Sequence, residues 1–121
     1  MKVLVCGSRD WFDRGPIERE LRKLPPGTIV VHGAARGVDT IAGDVAYDLG
    51  FTVRSYPADW NRWPKAAGPI RNSEMITMEH RLDEPIDKGL AFSKDIETSR
   101  GTRDMVNKLR AMHIPTEVFA V

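Results

Sequence analysis

The chain has only one cysteine and three histidines among its 121 residues. The lone cysteine, Cys6, excludes a disulfide within the chain and a zinc site built from cysteines. The histidines (His32, His80 and His113) are scattered and do not have the spacing of metal ligands. They also form no recognisable Ser-His-Asp or Cys-His arrangement. We therefore predict that the protein holds no metal and has no such nucleophilic site.

A large excess of charge of either sign is also missing. The formal net charge of +1 excludes a protein that grips nucleic acid by bulk positive charge, since phosphate contacts need a concentrated basic face. The apolar stretch at residues 2–6 is too short for a signal peptide or a membrane span. We therefore expect a cytoplasmic protein that does not bind membranes. Its length favours a single domain over residues 1–121.

Short β-branched or apolar runs alternate with helical patterns along the chain. Strands are predicted at residues 2–6, 28–32, 51–56, 90–92 and 116–121. Helices are predicted at residues 16–24, 38–49, 69–77 and 105–112. This alternation predicts an α/β, Rossmann-like three-layer sandwich, with a five-stranded parallel sheet in the order 3-2-1-4-5 and helices on both faces. The loops after strands one, two and four would then meet at the carboxyl edge of the sheet.

Glycine-bearing turns follow the first two predicted strands, and each precedes a helical pattern. The turns contain Gly7, Ser8 and Arg9 in the first case, and Gly33, Ala35, Arg36, Gly37 and Asp39 in the second. Glycine lets backbone amides approach a ligand, a helix N-terminus favours negative charge, and arginine pairs with anions. The turns therefore predict a phosphate site, unless they serve only as the tight turns that any βα unit needs.

The second turn lacks the complete glycine fingerprint of a dinucleotide site and the Gly-Lys-Ser/Thr of a P-loop. These absences disfavour a nicotinamide dehydrogenase and an NTPase, and we predict no cofactor. Asp39 has two interpretations that the sequence leaves open. It would either complement the dipole of the helix that follows or accept hydrogen bonds from ribose hydroxyls.

Two later segments carry related chemistry. Trp60 and Trp63 lie among cations in a loop ahead of Arg71 and Asn72, and the tryptophans would either stack on a base or plug the sheet edge. Trp11 is a second candidate for the base. The last helix begins near Gly101 and Thr102, whose amides would bind a phosphate, unless Ser or Thr only caps the helix there. The predicted phosphate lies among the amides of Gly7, Ser8, Gly33 and Gly101, beside Arg9, Arg36 or Arg71 and the hydroxyl of Thr102.

In combination, these segments resemble the SLOG superfamily of Rossmann-like nucleotide binders, and most closely its YspA-like (DUF2493) branch, which is common in bacteria and phages. The likeness covers nearly the whole chain and rests on residues 7–11, 32–39, 57–60, 67–75 and 101–102. It implies a module that binds a nucleotide or a nucleotide-derived ligand, as a sensor or a processing unit. It also implies a homo-oligomer.

Two relatives within this superfamily imply different activities. Similar glycine-arginine and Arg-Asn segments in DNA-processing protein A help to bind single-stranded DNA. The Arg71–Met75 segment resembles the Arg-Lys-x-x-Met motif of Lonely Guy phosphoribohydrolases, which cleave the N-glycosidic bond of nucleoside monophosphates. Met105, however, stands where that family has its catalytic glutamate, and methionine cannot act as an acid, a base or a stabilising anion. Another carboxylate would have to replace it: Asp39, Glu74, Glu79 or Asp104.

Overall fold

The computed structural model describes residues 1–120 and shows strands and helices in strict alternation. The elements in chain order are β1 (Lys2–Gly7), α1 (Arg14–Leu21), β2 (Ile29–His32), α2 (Val38–Asp48), β3 (Thr52–Ser55), α3 (Ala67–Glu79), β4 (Lys88–Phe92), α4 (Arg100–Ala111) and β5 (Thr116–Phe119). All strand pairs are parallel, and the strand order is β3-β2-β1-β4-β5. The predicted fold and strand order are confirmed. The last residue of the fifth predicted strand, Val121, lies outside the described residues.

Three of the four helices in residues 1–120 (α1, α3 and α4) begin earlier than their apolar patterns indicate, whereas α2 begins at Val38 as predicted. α1 begins at Arg14, where the side chain of Asp13 caps the helix by accepting a hydrogen bond of 3.0 Å from the amide of Gly15. Pro16 is therefore the third residue of α1, a position in the first turn whose N–H would have no helical partner in any case. Pro69 occupies the same position in α3.

The sheet separates two apolar cores, as expected for a parallel sheet covered on both faces. On β1, Val3 and Val5 face the core formed with α1 and α2, whereas Leu4 and Cys6 face the core formed with α3 and α4. The first five residues of β1 are buried, because β1 is the central strand. This packing fixes the direction in which every loop at the carboxyl edge leaves the sheet.

A buried ionic cluster joins β1 to the end of α3 at the opposite, amino edge of the sheet. The ammonium of Lys2 is 2% exposed, lies 2.9 Å from Oε1 of Glu79, and donates to the main-chain carbonyls of Glu79 and Glu84. Burial alone would raise the pKa of Glu79, but hydrogen bonds from Tyr56, Lys2 and Arg54 lower it to about 2. Glu79 is therefore an ionised structural residue, remote from the carboxyl edge.

Candidate functional site

A cleft of about 510 Å³ opens at the carboxyl edge of the sheet, beside the point where the strand order reverses between β1 and β4. The loops after β1 and β2 and the first turns of α3 and α4 form its walls. All but three of the predicted binding residues line it, namely Gly7, Ser8, Arg9, Gly33, Ala35, Asp39, Trp60, Arg71, Asn72, Gly101 and Thr102. Segments that lie far apart in the sequence therefore meet in one cavity.

A second, smaller cavity of about 380 Å³ adjoins the cleft. We call it the arginine groove, and it is lined by Arg9, Gly33, Ala34, Ala35, Arg36, Pro57, Ala58, Trp60 and Arg71. Five of these residues also line the cleft, so the two cavities share a wall. Arg36, one of the three predicted residues absent from the cleft, lies in this groove.

The other two predicted residues absent from the cleft, Trp11 and Gly37, have structural positions. Trp11 is only 5% exposed, packs edge-on against Phe92 at 5.9 Å, and donates a hydrogen bond from its indole nitrogen to the carbonyl of Asp13. Its ring is buried in the core, so the prediction that Trp11 stacks on a ligand is wrong. Gly37 precedes α2 with φ of 77°, and a Cβ there would collide with the carbonyl oxygen of Ser8.

The amides of the β2 loop are already occupied by a carboxylate of the same chain. Oδ2 of Asp39 accepts hydrogen bonds from the amides of Gly33 (3.0 Å) and Ala35 (3.3 Å). The amide of Ser8 likewise donates to the carbonyl of Phe92 at 3.0 Å. Two of the four amides predicted to hold a phosphate, those of Ser8 and Gly33, are therefore not free, and that part of the prediction is wrong.

Asp39 is nearly buried, and its ionisation is perturbed. Burial raises the pKa of this carboxyl to about 6, although the hydrogen bonds of the loop and the nearby Arg71 act in the opposite direction. A carboxyl in a cleft with a pKa near neutrality has the character of a proton-transfer group. Neither interpretation from the sequence foresaw the main contact of Asp39, which is with its own loop.

His32 supports the same loop from behind the cleft. Its Nδ1 accepts a hydrogen bond of 2.9 Å from the amide of Ala34, a non-glycine residue with φ of 56°. Burial and the nearby Arg71 lower the pKa of His32, which favours the neutral ring that can accept this bond. The sequence identified His32 only as part of a family motif, and no spacing pattern reveals this contact.

Arg71 lies at the base of the wall between the cleft and the arginine groove. Its Nε donates to Oδ1 of Asn72 at 2.8 Å, and one terminal nitrogen donates to the carbonyls of Gly33 and Tyr56. A Cβ on Gly33 would collide with this guanidinium in its present position. All three partners are neutral, and within residues 1–120 Arg71 forms no ion pair.

The first turn of α4 forms the wall of the cleft opposite the β2 loop. No side chain caps this helix, because the hydroxyl of Ser99 bonds instead to the hydroxyl of Ser93 at 2.8 Å. The first three amides, at Arg100, Gly101 and Thr102, thus have no helical partner. Thr102 is 5% exposed, lines the cleft, and makes no hydrogen bond through its hydroxyl with residues 1–120. The interpretation of this segment as a simple side-chain cap is wrong.

Asn72 connects this helix end to Arg71. Its Nδ2 donates to the carbonyl of Gly101 (3.3 Å) and to Oδ2 of Asp104 (3.0 Å), while its Oδ1 accepts from Arg71. Asn72 is 3% exposed, so it is better suited to position Arg71 and α4 than to meet a ligand by itself. Arg100 also lines the cleft and was not among the predicted binding residues, and Asp104, which the sequence suggested only as a replacement carboxylate, lines it as well.

The two tryptophans of the long loop occupy different surroundings. The guanidinium of Arg9 lies 5.3 Å from the ring centre of Trp60, above the wall between the two cavities. Arg62 lies at 5.2 Å from the ring of Trp63, but neither of these two residues lines a described cavity. Only Trp60 is therefore placed to meet a ligand in the cleft.

The carboxylates considered as replacements for the missing glutamate are also separated by the structure. Met105 is 1% exposed and lines the cleft. Asp39 and Asp104 line it as well, but Asp104 is held by Lys108 at 2.6 Å. Glu79 is at the far edge of the sheet, and Glu74 is exposed outside the cleft.

Neither a metal-binding cluster nor a membrane-spanning helix occurs within residues 1–120. No group of three or more His, Cys, Asp or Glu side chains is placed to hold a metal ion. No helix in the same part of the chain combines the length and the apolar character needed to cross a membrane.

Comparisons with known proteins agree with this architecture. The family model of the YspA, cpYpsA-related SLOG family matches residues 1–63. The Gene 61 protein of Mycobacterium phage D29 is 37% identical over 98% of this chain and 95% of its own length. DNA processing protein A from Streptococcus pneumoniae shares the fold, with a TM-score of 0.57 and 17% identity over 98% of this chain, which spans 59% of that protein. The chain therefore belongs to the YspA, cpYpsA-related SLOG family.

Proposed function

We propose that the protein binds a nucleotide or a nucleotide-derived ligand in the cleft, as a sensor or a processing module. The observation that carries this proposal is the setting of Arg71, a half-buried guanidinium that faces the cleft with neutral partners only. Burial lowers the pKa of Arg71 because the charged form is poorly solvated there. The other terminal nitrogen of Arg71 makes no hydrogen bond within residues 1–120, and a ligand phosphate would accept a charge-assisted hydrogen bond from it. The cleft volume also falls within the range of small-molecule sites.

The phosphate fits best between Arg71 and the first turn of α4. The uncapped amides of that turn and the positive end of the helix dipole attract an anion. The hydroxyl of Thr102, which lines the cleft, adds a donor that has no partner among residues 1–120. The space beside Gly101 is open, since a Cβ there would meet no atom within 4 Å. The ligand phosphate would therefore replace solvent at groups that the protein itself leaves unpaired.

The ring of Trp60 is the surface on which the base would stack. Its side chain is 44% exposed at the mouth of the cleft, and the guanidinium of Arg9 already occupies one of its faces. A planar base can take a similar position, because stacking on tryptophan does not depend on base identity. Specificity for one base would then come from other groups in the cleft.

Isothermal titration calorimetry with nucleoside mono-, di- and triphosphates, cyclic nucleotides and ADP-ribose tests this function. Trp60→Ala should weaken binding at least about fivefold, because base–aromatic stacking contributes about 1–3 kcal/mol. Trp63→Ala is the matched control, since Trp63 is similarly exposed and also contacts an arginine, yet lies outside the cleft. Absence of heat across the whole panel with folded protein would reject the proposal, and equal losses in both variants would reject the assigned location.

A second candidate function is cleavage of an N-glycosidic bond, and the raised pKa of Asp39 in the cleft favours it. The carboxylate would stabilise the developing oxocarbenium ion or help a water molecule to attack. Chromatographic detection of free base from nucleoside monophosphates measures the activity. Asp39→Asn should abolish release while retaining an acceptor for the loop amides. Release that persists in this variant would exclude Asp39 as the catalytic group, and no release by the wild type would exclude the activity.

Two expectations about assembly have separate tests. We infer that residues 1–121 form one domain, which is supported by the one sheet within residues 1–120 that carries the four helices of that part of the chain. Limited proteolysis should then leave a resistant fragment of nearly full length. We also propose a homo-oligomer from the family resemblance. Light scattering should give a multiple of the chain mass of 13.6 kDa, and a mass equal to one chain would contradict it.

A further inference from the structure

The arginine groove is more strongly positive than the cleft beside it. Its lining contains three arginines and no carboxylate. The lining of the cleft contains the cations Arg9, Lys65, Arg71 and Arg100, but also the carboxylates Asp10, Asp39 and Asp104. An anion that carried a single phosphate to α4 would therefore leave the more cationic of the two cavities empty.

The outermost cation of the groove, Arg36, is available for a ligand. Its guanidinium is 77% exposed, and its nearest carboxylate is that of Asp10, at 3.9 Å and 92% exposed. Such an exposed and distant pair holds a side chain only weakly. A ligand phosphate would therefore compete easily with Asp10.

The shared wall allows one ligand to reach both cavities. Arg9 and Trp60 form the exposed part of this wall, and Arg71 lies in the lining of both cavities. The contact between Arg9 and Trp60 is a cation–π contact at the surface, which is weak enough for a stacked base to replace. A nucleoside stacked on Trp60 would lie between the two cavities, with one phosphate directed to each.

We propose that the ligand has a phosphate on both sides of one nucleoside, as in a 5′-phosphorylated dinucleotide. This inference rests on the proposed function and assigns the second phosphate to the arginine groove. The terminal phosphate belongs at α4, where several unpaired donors suit an anion with three free oxygens. The phosphodiester belongs in the more open groove beside Arg36. The same chemistry occurs in a free dinucleotide and at the 5′ end of a single strand.

Calorimetry with AMP and with 5′-phosphorylated ApA, repeated with the other three bases, tests the inference. The dinucleotide should bind about tenfold or more tightly than the mononucleotide, because it gains a charge-assisted contact. Arg36→Ala should remove this gain and leave mononucleotide binding unchanged. Arg62→Ala, the matched control from the neighbouring loop, should change neither affinity. A 5′-phosphorylated decanucleotide that binds as tightly as the dinucleotide would identify the end of a strand as a source, and weaker binding would identify the free dinucleotide.

Failure of the inference is distinct from failure of the proposed function. Equal affinity for the mononucleotide and the dinucleotide would overturn the inference and leave nucleotide binding intact. Equal losses for both ligands in Arg36→Ala would also overturn it, because Arg36 would then not define a separate phosphate site. No binding of either ligand with any base would overturn both.

Discussion

Asp39→Asn should change how the stability of the protein depends on pH. The pKa of Asp39 is about 6 in the folded protein against an ordinary value of 3.8, a difference that corresponds to about 3 kcal/mol. At pH values between 3.8 and 6, Asp39 keeps its proton in the folded state and releases it in the unfolded chain. The contribution of Asp39 to stability therefore falls as the pH rises from 3.8 to 6. Asparagine keeps an acceptor for the loop amides but has no proton to lose.

Urea denaturation of the wild type and of Asp39→Asn at several pH values between 4 and 8 measures this effect. The stability of the variant relative to the wild type should rise by most of the 3 kcal/mol between pH 4 and pH 7, and then stay constant. Asp83→Asn, a change at an exposed position in the loop between α3 and β4, is the control and should leave the pH profile unchanged. A difference between Asp39→Asn and wild type that did not vary with pH would refute the argument from burial.

Three other substitutions test the structure by the same denaturation assay. Glu79→Gln should lower the free energy of unfolding by about 3 kcal/mol at pH 7, because the pKa of Glu79 is lowered to about 2. In the wild type, this contribution to stability should be lost as the pH falls from 4.5 towards 2. Gly37→Ala should cost about 1–3 kcal/mol through its positive φ and the collision with Ser8. Phe92→Ala should cost about 3–5 kcal/mol, because its fully buried ring packs against Trp11 and Phe119. Losses under 0.5 kcal/mol would contradict the assigned contacts.

The order and direction of the strands were predictable because they depend on local patterns. Apolar runs separated by helical stripes leave few topologies that obey right-handed crossover, and the structure has the expected one. Strand ends were less predictable. β4 begins at Lys88, two residues before the predicted start, because Lys88 and Gly89 pair with Val3 and Leu4 of β1. A lysine and a glycine give no strand signal, so this extension depends on the neighbouring strand.

The location of the site was predictable, whereas the state of its individual donors was not. Glycine turns after β1 and β2 must meet at the carboxyl edge of a parallel sheet, and they do. Whether an amide in such a turn is free depends on contacts that spacing does not determine. Asp39 lies six residues after Gly33 and occupies its amide, and the amide of Ser8 is taken by Phe92 from β4. The direction of the Trp11 ring similarly depends on the space beside Phe92.

These occupied amides change where an anion can bind. In a turn with free amides, a phosphate would sit beside β2, but Asp39 places a carboxylate there and repels it. The remaining favourable positions are the uncapped start of α4 and the arginine groove, on either side of Arg71. Asp39 therefore disfavours an anion beside β2. By holding the loop after β2 in place, it also helps to form the wall between the start of α4 and the arginine groove. The preference that we propose for a ligand with two phosphates rests on this division.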